Sequence, residues 1–175
     1  MRRALYILGQ LSDHDVDWLT KVGERVRFDA GDLVIQEGAR LDRVFVVLDG
    51  QFAVAIRSKE IARLGAGDIL GEISMVDHRP ASASVRAMSR SLTLAVPRAA
   101  MQARLESDPI FAAHFYKAIA IFLADRMRNT LVRFGYGDSV PEELEDSEDE
   151  LDANVLNTLH LAGARFERLL KKLTG

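Results

Sequence analysis

The spacing of apolar residues along this chain changes period twice, and each change marks a different kind of structure. Between Leu11 and Gly23, Val16, Leu19 and Val22 recur at helical intervals. Ser12 stands at the N-cap position, and Asp13 and Asp15 place acids in the first turn. This predicts one amphipathic helix inside a lead-in spanning 4–24, with Trp18 in the core. From Arg25 to Val96 the period falls to two. Val26 and Phe28 alternate before a turn at Ala30-Gly31-Asp32. Leu33-Val34-Ile35 runs to Glu37-Gly38, and Val44-Phe45-Val46-Val47-Leu48 runs to Asp49-Gly50. Phe52, Val54 and Ile56 alternate up to a hairpin tip at Arg57-Ser58-Lys59. Ile61 and Leu64 precede Gly65-Ala66-Gly67-Asp68, and Leu92, Leu94 and Val96 close the series. Many short strands broken by glycine turns predict an antiparallel sandwich or jelly roll.

At Pro97 the period lengthens again. Proline in a first turn opens a helix carrying Met101 and Leu105. Asp108-Pro109 then opens a long helix to about Phe134, closed by Gly135-Tyr136-Gly137. Its apolar surface (Phe111, Phe115, Ala118, Phe122, flanked by Ile119, Leu123, Met127 and Leu131) is too broad for one contact. Part is expected to cover the sheets and part to meet a second copy. Near the end, Val155, Leu159, Ala162, Phe166, Leu169 and Leu173 alternate in steps of four and three, a helix-pairing seam within 154–173. At under three heptads it needs a partner: the chain's own body, a second subunit or another protein.

Composition adjusts this picture at one place. The 175-residue chain carries 26 acids, 23 lysines and arginines and a net charge of −3. Nine of those acids lie between Asp138 and Asp152 with no base among them, so the rest of the chain carries +6. The run predicts a solvated linker, dividing the chain into 1–134, an acidic linker 135–152 and a helix within 153–175. A sharper alternative is that it competes for a basic surface. With 48% hydrophobic residues a packed core is expected. No apolar run is long enough to span a bilayer, and Met1-Arg2-Arg3 leads into no signal core, so a cytoplasmic location without membrane contact is expected. The absence of cysteine excludes disulfides and zinc–thiolate sites. His14, His78, His114 and His160 stand at no metal-ligand spacing, so no metal is assigned. No nucleophile–base motif, phosphate loop or carboxylate pair is present, so no catalytic residue is assigned and the chain reads as a non-enzyme.

The remaining chemistry sits between Ile69 and Ala87. Gly71 lets a ligand approach the backbone, Glu72 offers a carboxylate to a diol, and Ala81, Ser82 and Ala83 leave room for an anion against backbone N–H groups. Gly71-Glu72-Ile73-Ser74-Met75, a loop, then Pro80-Ala81-Ser82-Ala83-Ser84-Val85 resembles the phosphate-binding cassette of cyclic nucleotide-binding domains, the family of the catabolite activator protein and the protein kinase A regulatory subunit. The run from Val34 through Gly38, Val44–Val47 and Gly50 resembles the first half of that family's barrel, with Leu41 in place of a small residue. The resemblance covers about 20–130. It implies a mainly β jelly-roll barrel with a short N-terminal helix and a long C-terminal helix, to which this chain adds a terminal helix.

The resemblance also implies a phosphate-binding arginine at the position held by Ala81. Arg79, two residues earlier, and Arg86, sharing a strand face with Ser84, are the nearest guanidiniums in sequence. Two readings stay open. In one, the chain is a non-catalytic sensor of cyclic AMP or cyclic GMP. Glu72 takes the ribose hydroxyl, backbone N–H groups around Ile73 and Ala83 take the phosphate with Ser82, and the long helix closes over the base. The binding residues are then Gly71, Glu72, Ile73, Ser74, Arg79, Ala81, Ser82 and Ala83, and the long helix 110–134 signals to a homodimer or partner. In the other, the cassette is degenerate and the chain is a dimeric scaffold without a cyclic nucleotide ligand. Direct DNA contact is not expected, because the tail carries no helix-turn-helix and its acidic run opposes phosphate.

Overall fold

A computed structural model describes residues 9–133 and 153–174. The N-terminal eight residues, the Gly135–Gly137 stop and the acidic run lie outside the described residues. Helix α1 (Asp13–Val22) begins at a complete capping box: the Asp15 N–H donates to the Ser12 hydroxyl, and the Asp15 carboxylate accepts from the Ser12 N–H. The strands follow as β1 (Glu24–Phe28), β2 (Leu33–Ile35), β3 (Arg43–Asp49), β4 (Gln51–Ile56), β5 (Lys59–Gly65) and β6 (Ile69–Leu70). A short helix α2 (Glu72–Asp77) separates these from β7 (Ser84–Ala87) and β8 (Ser91–Pro97). Helices α3 (Arg98–Ser107), α4 (Pro109–Arg133) and α5 (Ala153–Thr174) complete the described chain. The β4–β5 tip holds Arg57 and Ser58 at φ 47° and 67°, as a tight two-residue hairpin requires.

The strands form two antiparallel four-stranded sheets, ordered β1-β8-β3-β6 and β2-β7-β4-β5, matching the jelly-roll expectation without closing into a continuous barrel. Their environments explain their sequence patterns. The first sheet is covered on both faces: Val44, Val46 and Leu48 join the core under the helices, while Phe45 and Val47 join the core between the sheets. A strand buried on both sides is apolar at every step, hence the unbroken Val44–Leu48 run. The second sheet is covered on one face, so Phe52 and Val54 are buried while their neighbours are more exposed. Phe28 stands edge-on to Phe45 and Phe52 between the sheets, at ring distances of 6.1 and 6.2 Å.

The helices form a layer over the first sheet. Phe111, Phe115, Ala118, Ile119 and Phe122 turn one face of α4 into that core. At 100° per residue, Ile110, Ala113, Tyr116, Ala120 and Met127 fall on the opposite face and are exposed. Beneath α1 lies a buried ion cluster. The Arg104 guanidinium, 10% exposed, sits 3.0 Å from Asp15 and 3.3 Å from Asp108. It also lies 4.7 and 4.5 Å from the ring centres of Trp18 and Phe111.

The C-terminal seam finds its partner within the chain. Ala162 and Leu169 are buried with Leu11, Val16 and Leu19, and Phe166 and Leu173 pack against the same cluster. Charges on the rim align the pairing. Arg165 donates to Asp13 at 2.8 Å, Arg168 to Asp17 at 2.8 Å, and Lys172 lies 2.7 Å from Asp17.

Candidate functional site

The site begins where β6, paired with β3, runs into Gly71. Gly71 takes a left-handed conformation at φ 87° and caps α2. A Cβ there would meet the Leu41 side chain at 3.0 Å, so both backbone angle and space favour glycine. The turn into α2 buries Glu72 and Ser74 at 3% and 4% exposure. Residues 72–77 form a helix of six residues, too short for periodicity to reveal, so the expected loop after Met75 begins only beyond Asp77. It ends at His78, also left-handed, whose Nδ1 lies 2.7 Å from Arg98 Nη2.

Two backbone hydrogen bonds then zip the chain to the loop before β3. The Gly38 N–H donates to the Ala81 carbonyl, and the Ala81 N–H donates to the Ala39 carbonyl, each at 2.8 Å. The Ala81 N–H is thereby committed within the protein. A third tie runs from the Glu37 N–H to the Ser84 hydroxyl at 3.0 Å.

These ties bring Gly71, Glu72, Ile73 and Ser74 to one side of a half-open recess and Ala81, Ser82 and Ala83 to the other. Ile35, Leu41, Val54, Leu64, Leu70 and Val85 supply an apolar floor that was not singled out from the sequence. Leu41 was the one visible signal, a large residue where the resemblance implies a small one. The cavity volume is about 40 Å³, little more than a water occupies and well below the ~300 Å³ of a typical small-molecule site. Arg79 does not line the recess. It is exposed, and its N–H donates to Asp77. Arg86 is exposed on β7 and donates to the Gly31 carbonyl. Among the described residues none of α4 lines the recess; the helix packs on the opposite sheet.

Residues 25–108, just under half of the chain, match the family model of the cyclic nucleotide-binding domain. The cGMP-dependent protein kinase of Toxoplasma gondii is 33% identical over 132 residues, which are 75% of this chain and 13% of that one. The chain thus spans about an eighth of that kinase. Among solved structures, a cyclic nucleotide-binding domain from Methylobacillus flagellatus superposes with a TM-score of 0.68 at 24% identity, over 80% of this chain and 84% of that one. The Thermus thermophilus catabolite activator protein superposes with a TM-score of 0.60 at 22% identity, over 97% of this chain and 86% of that one. At these identities the two structures speak to the fold. Among the described residues no helix is long and apolar enough to cross a membrane.

Proposed function

We propose that this chain is a non-catalytic regulatory protein that binds a cyclic nucleotide, cyclic AMP or cyclic GMP, in the recess between Gly71–Ser74 and Ala81–Ala83. The observation that carries this reading is that two cassette segments, joined through the Ala81 zip, line one recess inside a segment that matches the family model. In this reading Glu72 accepts from the ribose hydroxyl, and the amides of Ile73 and Ala83 with the Ser82 hydroxyl meet the phosphate. The signal passes through α4 to a second copy or a partner. Ile110, Tyr116 and Met127 on its outer face, at 71%, 49% and 63% exposure, are the surface for that contact.

Titration calorimetry of the purified chain with cyclic AMP, cyclic GMP and the linear monophosphates tests this. Micromolar binding of a cyclic form, lost in Glu72→Gln, supports the sensor. Silence at millimolar ligand overturns it. The second reading, a degenerate cassette on a dimeric scaffold, is favoured by the small cavity and by the methyl and isobutyl groups of Ala81 and Leu41 in its wall. Under that reading the chain self-associates and no nucleotide changes its association.

A further inference from the structure

An anion pressed against apolar side chains needs a cation or several free amides within reach. Among the described residues the wall of the recess carries one ionisable side chain, the Glu72 carboxylate, and no cation. Position 81 contributes a methyl group, and its N–H is engaged by Ala39. Several nearby arginines are already committed. Arg43 pairs with Glu24 at 2.9 Å, Arg86 with the Gly31 carbonyl, and Arg98 with His78. Arg40 and Arg79 are different. Both are exposed, and neither side chain has a hydrogen bond or ion pair among the described residues.

The zip brings these two arginines to the same rim. Arg40 lies between Ala39, whose carbonyl receives the Ala81 N–H, and Leu41, whose side chain lines the recess. Arg79 precedes Ala81 by two residues on the other strand of the zip. Ala39 and Leu41 are half-buried while Arg40 is exposed, so Arg40 lies on the solvent side of the segment that carries Leu41 into the wall.

We infer that Arg40 and Arg79 together form the anion contact of the recess, a two-guanidinium clamp that holds the ligand's phosphate at the rim. The inference rests on the reading that the recess takes a cyclic nucleotide, and it specifies how. The sugar faces Glu72, while the phosphodiester stays at the mouth, hydrated on one side and gripped by two forks. Because both guanidiniums face solvent, binding falls as salt rises. Arg57 is a suitable control. It stands at the β4–β5 tip, where the Glu37 carboxylate accepts its N–H at 3.0 Å and places a negative charge beside it.

The test is calorimetry with cyclic AMP and cyclic GMP on the wild-type chain, R40Q, R79Q, the double variant, R57Q and A81R, each checked by thermal melting. All three arginines are exposed, so these folds are expected to stand. At low ionic strength each clamp variant is expected to bind about fivefold more weakly and the pair about twentyfold or more, with R57Q unchanged. Added salt is expected to weaken the wild type toward the double variant. If the double variant binds as the wild type does, or R57Q loses as much, the clamp is wrong while the sensor reading survives. If the wild type is silent and A81R binds, the recess is competent and the clamp is overturned. Silence in both overturns the clamp and the sensor reading together.

Discussion

The helical layer and the recess treat charge in opposite ways. Under α1, Arg104 is buried and supplied with two carboxylates and two aromatic faces from its own chain. Around the recess the wall carries Glu72 and the hydroxyls of Ser74 and Ser82 but no cation among the described residues, and Arg40 and Arg79 stand outside it. Burial alone would raise the Asp15 carboxyl. Hydrogen bonds from the Ser12 N–H and hydroxyl, with His114 and Arg104 nearby, more than offset this and hold it below the usual carboxylate range. A buried charge thus persists where local capping and a distant partner converge on it. Among the described residues the recess wall offers no such buried partner for an anion.

The contrast is most easily broken at Arg104. Arg104→Ala strands Asp15 in the layer and is expected to cost about 3–5 kcal/mol, read from urea unfolding. An effect no larger than that of an exposed ion pair would mean that the cluster is hydrated. The recess offers the converse change. Ala81→Arg places a cation in the wall and is expected to strengthen cyclic nucleotide binding by about 1.5–3 kcal/mol in calorimetry, with no comparable gain in stability. No gain would mean that the cavity cannot open around the new side chain.

Acid separates the two regions next. Because the folded Asp15 titrates low, its contribution is present above the unfolded carboxyl value of about 3.9 and is lost as pH falls through the folded value. The unfolding midpoint is expected to stay level above pH ~5 and to fall below pH ~4, and Asp15→Asn should flatten that fall. The smallest effect concerns α5. Hydrogen bonds from Lys172 and then Arg168 hold Asp17 low, and both ends of these pairs are accessible to solvent. Arg168→Ala is expected to speed amide exchange in residues 161–173, as added salt does, while leaving the global midpoint nearly unchanged.

Much of the fold was legible because its signals are local. Ser12 and Asp15 announce the cap of α1, Arg57-Ser58 the hairpin tip, and Asp108, whose carboxylate accepts the Phe111 N–H at 3.0 Å, the start of α4. Gly71 and Glu72 were legible as one side of the site, since a left-handed glycine beside a carboxylate is written in two adjacent residues. The floor was not. Val54 and Leu64 read as ordinary inward strand positions, and strand alternation does not distinguish a core wall from the wall of a recess. Arg40 was silent because its meaning depends on a zip between residues some forty positions apart.

By itself, then, the sequence determined periods, caps and turns: two helical stretches flanking a series of short strands, and a glycine–glutamate step beside small residues. Each depends on residues within a few positions of one another, where backbone geometry and side-chain periodicity dominate. Tertiary structure decided what those elements face. It placed α4 on the sheet away from the recess, set α5 against α1, buried Arg104 between rings and tied the loop at Gly38–Ala39 to Ala81. Those outcomes depend on which surfaces can be desolvated together and which charges find partners once they are, a balance struck between segments far apart in the chain.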